Sequence, residues 1–391
     1  MYIAILGRQP ALGIAELEHL YGSDSVRWFS DISAHVKSTS FSIDNIGGTQ
    51  KAGRVVAELP RADWRQASMK TVQAYIKAWT EVDHKITLGI SAYGFDVSAR
   101  DVQKTGLVLK QKLKQSGVSL RLIPNSETAI SSATSHHNKL GLSDNKVELI
   151  IVRARNGRVT IAESIGSQNI TAYARRDQER PKRDAFVGML PPKLAQIMIN
   201  LTVSKKLAAT SPRVLDPFCG TGVVLQEAAL MRFPVYGTDI NEKMIRYSQD
   251  NLNWLQESHH ISFDSYLHEG DAMTTTWQQP ISAVVCEGYL GQPFSAPPSP
   301  AKLEEVRKNC NHIMSSFLKN IAGQIPTGAP LCVGVPAWKD HNGTFTHLPL
   351  IRQLEALGYD QYHFDAVKND ELLYYREDQI VARELLVLVR K

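Results

Sequence analysis

The sequence predicts an α/β fold in the second half of the chain, preceded by smaller α+β layers, and three observations predict it. The stretch Val214-Leu215-Asp216-Pro217-Phe218-Cys219-Gly220-Thr221-Gly222 runs from an apolar strand end through an acid into two glycines and a helix start. Asp239 stands seventeen residues past Gly222, at the end of a second apolar run from Val235 to Thr238. Residues 1–80 alternate strand and helix patterns without such a turn.

Composition bounds the rest. A chain of 391 residues has room for two or three cores. Its 43% hydrophobic and 21% charged content is ordinary for a soluble globular chain. Cys219, Cys286, Cys310 and Cys332 show no C-x-x-C spacing and all lie in the second half. Reduced thiols in a cytoplasmic protein, with no zinc site and no disulfide framework, follow as the expectation. Met1 to Leu6 reads as a strand, not as a signal peptide, and no apolar run reaches membrane-spanning length. The net charge of +5 is unevenly placed: residues 1–190 carry 26 Lys and Arg against 18 Asp and Glu, and residues 191–391 carry 18 against 21. The positive excess therefore sits in the half without the glycine turn, which suits a module that holds a polyanion.

In chain order, Tyr2 to Leu6 is a strand, and Leu12, Ile14, Leu17 and Leu20 stripe a helix from 11 to 21. Strand patterns at 33–43 and 54–59 flank the Gly47-Gly48 turn. A helix over 67–82 carries Met69, Val72, Ile76, Ala78 and Trp79 as a core stripe. Residues 1–80 thus form an α+β unit. A second unit, 81–168, opens with a strand at 85–91 and a helix at 102–116. That helix sets Lys104, Lys110, Lys112 and Lys114 beside Leu107, Leu109 and Leu113. Strands follow at 118–123 and 147–152, and Arg153, Arg155 and Arg158 surround the Asn156-Gly157 turn of a hairpin. His136 and His137 lack a third ligand at useful spacing, so no metal is expected, and with Lys139 they read as solvated or phosphate-facing.

Residues 169–187 form a charged connector, and Pro191 and Pro192 open a helix over 192–207 at the start of the last domain, 188–391. In that domain Gly220 and Gly222 permit a tight turn with the backbone close to a ligand, Val223 to Met231 is a helix, and Asp239 is placed to accept from ribose hydroxyls. A phosphate-binding loop would need Gly-Lys-Ser/Thr, and a dinucleotide pyrophosphate would want G-x-G-x-x-G. S-adenosylmethionine (SAM), which has no phosphate and carries a cation, suits a turn holding an acid and a Cys. Strands at 263–267, 281–285 and 331–335, helices at 303–321 and 348–357, and a closing hairpin of 372–376 with 382–389 complete the reading. Trp338 fits either the cofactor edge or the core.

The run Arg176-Asp177-x-x-Arg180-Pro181-x-Arg183-Asp184, then Gly188-Met189-Leu190-Pro191-Pro192-Lys193 and Asp216 to Gly222, resembles the SAM-dependent methyltransferases that carry a THUMP RNA-binding domain. It is most similar to the branch that methylates the exocyclic amine of guanosine at position ten of tRNA. Met1 to Glu16, Ile46 to Thr49 and Ser131 to Leu140 also look like that family. The resemblance implies a Rossmann-type seven-stranded methyltransferase domain preceded by ferredoxin-like (1–80) and THUMP-like (81–168) modules. It implies SAM as cofactor, held by Gly188 to Lys193 (Leu190 and Pro191 in particular), Asp216, Phe218, Gly220, Gly222, Asp239, Ile240, Asp271 and Ala272. The ribose would fall to Asp239 and the adenine amine to Asp271. It implies tRNA as partner, gripped through Lys104, Lys139, Arg153, Arg155, Arg175 and Arg176, with no membrane and with oligomeric state and any activating subunit left open.

Amine methylases of this kind place Asp/Asn-Pro-Pro-Tyr after the fourth strand, whereas this chain has Cys286-Glu287-Gly288-Tyr289-Leu290-Gly291. Position in the strand makes Glu287 the counterpart of the acid, and counting back from the aromatic makes it Cys286. Glu287 is preferred because the target amine needs a hydrogen-bond acceptor. Tyr289 would stack on the extruded base, a contact worth roughly 1–3 kcal/mol. Two other functions fit the same residues: an amino-methylase of DNA bases, and a SAM- or RNA-binding module without turnover.

Overall fold

The computed structural model describes residues 1–184, 190–278 and 280–391, and the chain divides into two compact units. The first holds residues 1–10, 21–44 and 48–172, and the second holds 11–20, 45–47 and 173–391. No helix among the described residues is long and apolar enough to cross a membrane.

The N-terminal elements are β1 (Tyr2–Leu6), α1 (Pro10–Tyr21), β2 (Val26–Ser30), β3 (Ser33–Val36), β4 (Thr49–Leu59) and α2 (Trp64–Trp79). They continue with β5 (Ile86–Tyr93), α3 (Ala99–Gln115), β6 (Leu120–Leu122), α4 (Ser132–His137), β7 (Lys146–Arg153) and β8 (Val159–Ser167). All eight strands belong to one sheet in the order β2-β3-β1-β4-β8-β7-β5-β6, antiparallel except where β5 lies parallel to β6 and β7. The expected break between residues 1–80 and 81–168 is therefore corrected. β4 is long enough to pair with β1 from Thr49 to Arg54 on one edge and with β8 from Lys51 to Leu59 on the other, so the two segments share a sheet. A second correction concerns α1, whose Ala11–Leu20 stretch groups with the second unit.

Helices α2 and α3 start at capping boxes, with Asp63 accepting from the Gln66 N–H and Ser98 from the Asp101 N–H. Their apolar faces pack Ala67, Tyr75, Trp79, Val102, Leu109 and Leu113 against Ile86, Leu88, Ile90, Leu149 and Ile151 of the sheet. The stripe expected to be core along α2 splits: Trp79 is buried, while Met69 is 56% exposed. Behind the sheet, Lys51 donates to Glu148, which also accepts from the hydroxyls of Ser91 and Ser135, each at 2.6 Å. Lys51 further donates to the Ile130 carbonyl, so the approach to α4 is tied to β4, β5 and β7 by a satisfied buried network.

The second unit begins with α5 (Ile170–Gln178), whose first three residues belong to the first unit, then α6 (Pro192–Asn200) and α7 (Lys205–Ala208). The single helix expected over 192–207 is broken after Leu201. Thr202 folds its hydroxyl back onto the Met198 carbonyl at 2.8 Å, and Ser204 caps a new turn. The remaining elements are β9 (Val214–Asp216), α8 (Val223–Leu230), β10 (Val235–Asp239), α9 (Glu242–His259), β11 (Ser265–Glu269), β12 (Ala283–Glu287) and α10 (Pro300–Ala322). Strands β13 (Pro330–Lys339), β14 (Phe345–Thr346), β15 (Tyr359–Gln361), β16 (Leu373–Tyr374) and β17 (Val381–Arg390) complete the chain.

Seven strands form a continuous path in the order β11-β10-β9-β12-β13-β17-β15, parallel from β11 to β13 and antiparallel at β17. This is the seven-stranded Rossmann-type arrangement, in which the strand order reverses at β9 and a crevice opens beyond the strand C-termini. The expected hairpin partner of the last strand is corrected: β16 is a two-residue side pairing, and the edge position beside β17 belongs to β15. The helix expected over 348–357 is a 3₁₀ turn at Pro349–Gln353. Phe317, Met314, Leu318 and Ile321 of α10 fill the core against β12 and β13 together with Trp338, which is 1% exposed. Trp338 is thereby a core residue.

Candidate active site

The cavity at the strand C-termini of the second unit has a volume of about 370 Å³. It is built on the β9–α8 turn. Phe218 N–H donates to Asp216 at 3.0 Å, closing an Asx turn that aims the chain into Gly220. Gly222 is the N-cap of α8 with φ +81°, and a Cβ there would lie 2.8 Å from the Ser248 hydroxyl. That glycine is required twice over, by backbone conformation and by space. From α9, Ser248 donates to the Gly220 carbonyl at 2.9 Å and Asn251 to the Thr221 carbonyl at 2.8 Å, so the turn is fixed from behind.

Asp239, at the end of β10, accepts from the Gly220 N–H and the Asn241 N–H, both at 2.9 Å. Two oxygens offer about four acceptor positions, so two remain for a ligand. Asp216 is 2% exposed. Its burial holds the carboxyl well above the ordinary carboxylate range, with the charges of Asp239 and Glu287 adding to the effect and the Phe218 hydrogen bond opposing it. Asp239 is likewise raised by burial, against its two backbone donors. Burial pushes the thiols of Cys219 and Cys286 well up, which leaves neither as a ready nucleophile.

On the other wall stands the segment after β12. Strand alternation turns Cys286 into the core at 0% exposure and leaves Glu287, not the thiol, at the cavity. The structure also accounts for glycine where a proline was expected. Gly288 N–H donates to the Gly334 carbonyl at 2.9 Å, and a Cβ on Gly288 would lie 2.5 Å from the Met314 sulfur. A proline would lose the donor and strike α10. Gly291 has φ +78°, and a Cβ there would meet Val306 at 2.7 Å. The loop is thus held by close packing on α10. Tyr289 beyond it is 42% exposed.

Of the cofactor residues named from the sequence, Leu190, Asp216, Phe218, Gly220, Asp239 and Ile240 line the cavity, as do Glu287 and Tyr289. Ile240 is 68% exposed, an apolar side chain offered to whatever fills the space. Pro191, Gly222, Asp271 and Ala272 do not form the wall. Pro191 caps α6, and Gly222 is turned into α8. Asp271 closes its own turn by accepting from the Met273 N–H at 2.9 Å, and the Ala272 carbonyl accepts from Asn320 at 3.0 Å. Gly188 and Met189 lie outside the described residues.

One wall residue that sequence reasoning misses is Arg383. From β17 it reaches the cavity and donates its Nε to Glu287, both side chains being mostly buried. Its signal in the sequence is an Arg-Glu pair inside the otherwise apolar run Val381 to Val389. The adjacent Glu384 points elsewhere and accepts from His347 at 2.7 Å.

The candidate RNA residues are scattered. Lys104 is exposed on α3, Lys139 is exposed after α4 with φ +55°, and Arg155 pairs with Asp31 at 2.7 Å. Arg153 donates to the Ala62 carbonyl at 3.1 Å, and Arg175 pairs with Glu179 at 3.0 Å. Arg176 is corrected outright. It is 8% exposed and donates to both oxygens of Glu227 on α8, at 2.6 and 3.2 Å, so it is a structural tie with no freedom to meet a phosphate. The connector serves the same end at Lys182, whose N–H and carbonyl are both bonded to the Asn251 amide.

Comparison with known proteins adds three findings. Residues 180–286 match the family described as RMKL-like, methyltransferase domain. Over 166 residues the chain is 31% identical to the tRNA (guanine(10)-N2)-dimethyltransferase of Methanothermobacter thermautotrophicus, a match spanning 42% of this chain and 44% of that one, less than half of either. Over 124 residues it is 30% identical to a probable tRNA (guanine(10)-N2)-dimethyltransferase of Methanothermococcus thermolithotrophicus, spanning 31% of this chain and 73% of the relative. In fold, the crystal structure of TrmN from Thermus thermophilus superposes with a TM-score of 0.52 at 15% identity, covering 100% of this chain and 99% of that one. A Rossmann-type sheet with its acid-lined turn, a methyltransferase domain match and these relatives agree, and the chain belongs to the tRNA (guanine(10)-N2)-dimethyltransferase family.

Proposed function

We propose that this protein is a SAM-dependent methyltransferase that modifies the exocyclic N2 amine of a guanosine in tRNA. The observation that carries the reading is the cavity wall. Asp216, Asp239 and Glu287 bring three carboxyl groups to one space, and the single basic side chain among its described lining residues, Arg383, is already paired with Glu287. Such a wall rejects a phosphate and fits a cationic ligand with a ribose. When bound there, SAM supplies an electrophilic methyl group on a sulfonium, and its transfer to an amine releases a thioether and one proton.

The residues of this chain do the holding. The open acceptor positions of Asp239 suit ribose hydroxyls, Ile240 and Leu190 suit an apolar face, and the Gly220 turn suits an amino acid moiety. Glu287 accepts hydrogens of the target amine, and Tyr289 offers a ring to the extruded base. Fixing the amine in line with the methyl carbon supplies most of the rate, since a misplacement of about 1 Å costs roughly 100-fold. The tRNA reading draws on the relatives' names and on the positive excess of residues 1–190, where Lys104, Lys139 and Arg155 are exposed on the first unit. Four buried free thiols suit a cytoplasmic setting.

The test compares wild type with Glu287→Ala for SAM binding by calorimetry and for labelled methyl transfer into bulk tRNA. Wild-type binding and transfer, with binding kept and transfer reduced at least roughly 100-fold in the variant, are expected. Binding without transfer in the wild type would replace the enzyme reading by a binding module, and transfer into duplex DNA in preference to tRNA would make it a DNA amino-methylase.

A further inference from the structure

Arg383 needs an explanation that a SAM pocket does not give. A guanidinium beside the site of a sulfonium repels it, and neutralising Glu287 removes a charge that would otherwise attract the cofactor. The pair is nevertheless built in: Arg383 comes from the antiparallel strand β17, two strands away from β12, and both side chains line the cavity while mostly buried. The hydrogen bond uses Arg383 Nε and Glu287 Oε1. Neither Nη group of Arg383 nor Oε2 of Glu287 has a hydrogen-bond partner among the described residues. A donor fork and an acceptor are therefore held side by side at one wall.

We infer that Arg383 and Glu287 together read the Watson–Crick edge of the target base. This rests on the methyltransferase reading above. The edge of guanine presents O6, an acceptor, beside N1–H and the N2 amine, both donors. Arg383 Nη donates to O6 while Glu287 Oε2 accepts from the adjacent N–H groups, so the base is oriented with N2 toward the cofactor side. The pairing with Arg383 also fixes the rotamer of Glu287, a side chain one methylene longer than the aspartate usual at this position and followed here by a glycine. Arg383 is then a specificity-determining and positioning residue, and Glu287 the acceptor it orients.

The experiment uses the full chain with SAM and a tRNA assembled from synthetic pieces, in which the guanosine that the wild type methylates is retained or replaced by 6-thioguanosine. That analogue keeps N1–H and the N2 amine and exchanges O6 for a weak acceptor. Wild type is expected to lose roughly 10- to 100-fold in kcat/KM on the analogue, the discrimination typical of a paired polar contact to a base edge. Arg383→Gln and Arg383→Ala are expected to lose a similar factor on guanosine and to treat the two bases within roughly twofold of each other, while Arg383→Lys regains part of the preference. Thermal unfolding identifies which variants keep the fold. Equal treatment of the two bases by wild type, a comparison that needs no variant, would overturn the inference. So would folded Arg383 variants that lose activity on both bases in the same proportion, as a merely structural arginine would. Absence of transfer to any guanosine by wild type would instead remove the methyltransferase reading, and the inference with it.

Discussion

At the residue scale, the behaviour of the cavity turns on Asp216. Its carboxyl is buried, close enough to Asp239 and Glu287 to be raised by them, and stabilised by one backbone N–H. The sign of the resulting linkage is set. A carboxyl whose folded pKa lies above its unfolded value destabilises the empty fold once pH rises above the ordinary carboxylate range, and that penalty is complete above the raised pKa. A cation bound in the cavity favours the ionised form, so binding SAM must release protons from Asp216 and Asp239 through that window. SAM affinity is therefore expected to rise with pH from the ordinary carboxylate range upward. Calorimetry in two buffers of different ionisation enthalpy should show proton release. Affinity independent of pH, with no proton exchanged, would mean that these carboxyls do not face the cation.

At the element scale, α5 and the connector act as a brace for the cofactor turn. Arg176 is bonded twice to Glu227 in the interior, and Asn251 ties Lys182 to the Thr221 carbonyl. Removing one partner of a buried pair leaves an uncompensated charge, at a cost of about 3–5 kcal/mol, whereas replacing both by apolar residues is near neutral. Arg176→Met should lower stability in urea by about that amount, and Arg176→Met combined with Glu227→Met should recover most of it. If the single variant proves as stable as wild type, the brace is not a fold element. The sequence shows that the connector is charged and specific in pattern, but not that Arg176 faces inward. A charge run reads as solvated until its partner, fifty-one positions away on α8, is known.

At the scale of the whole molecule, what is legible in the sequence is what is local. The turn from Asp216 to Gly222 and the acid at Asp239 follow from short-range patterns, whereas the switch of strand order beside them rests on β9 pairing with β12, sixty-nine positions on. The parts that are not legible depend on long-range pairing. β4 joins two segments that look like separate modules because its ladder partner β8 lies about a hundred residues on. Arg383 meets Glu287 only because β17 inserts antiparallel beside β13, ninety-six positions from its partner. In sequence the glycine at 288 is a departure from the Pro-Pro pattern, and only packing against Met314 and the bond to Gly334 show why it fits there. The two units together are proposed to deliver a methyl group to one kind of atom. The most direct test is to incubate the protein with methyl-labelled SAM and tRNA, digest the RNA to nucleosides, and identify the labelled species by chromatography and mass. Label is expected in N2-methylated guanosine. Label confined to any other nucleoside, or to none, would contradict that proposal.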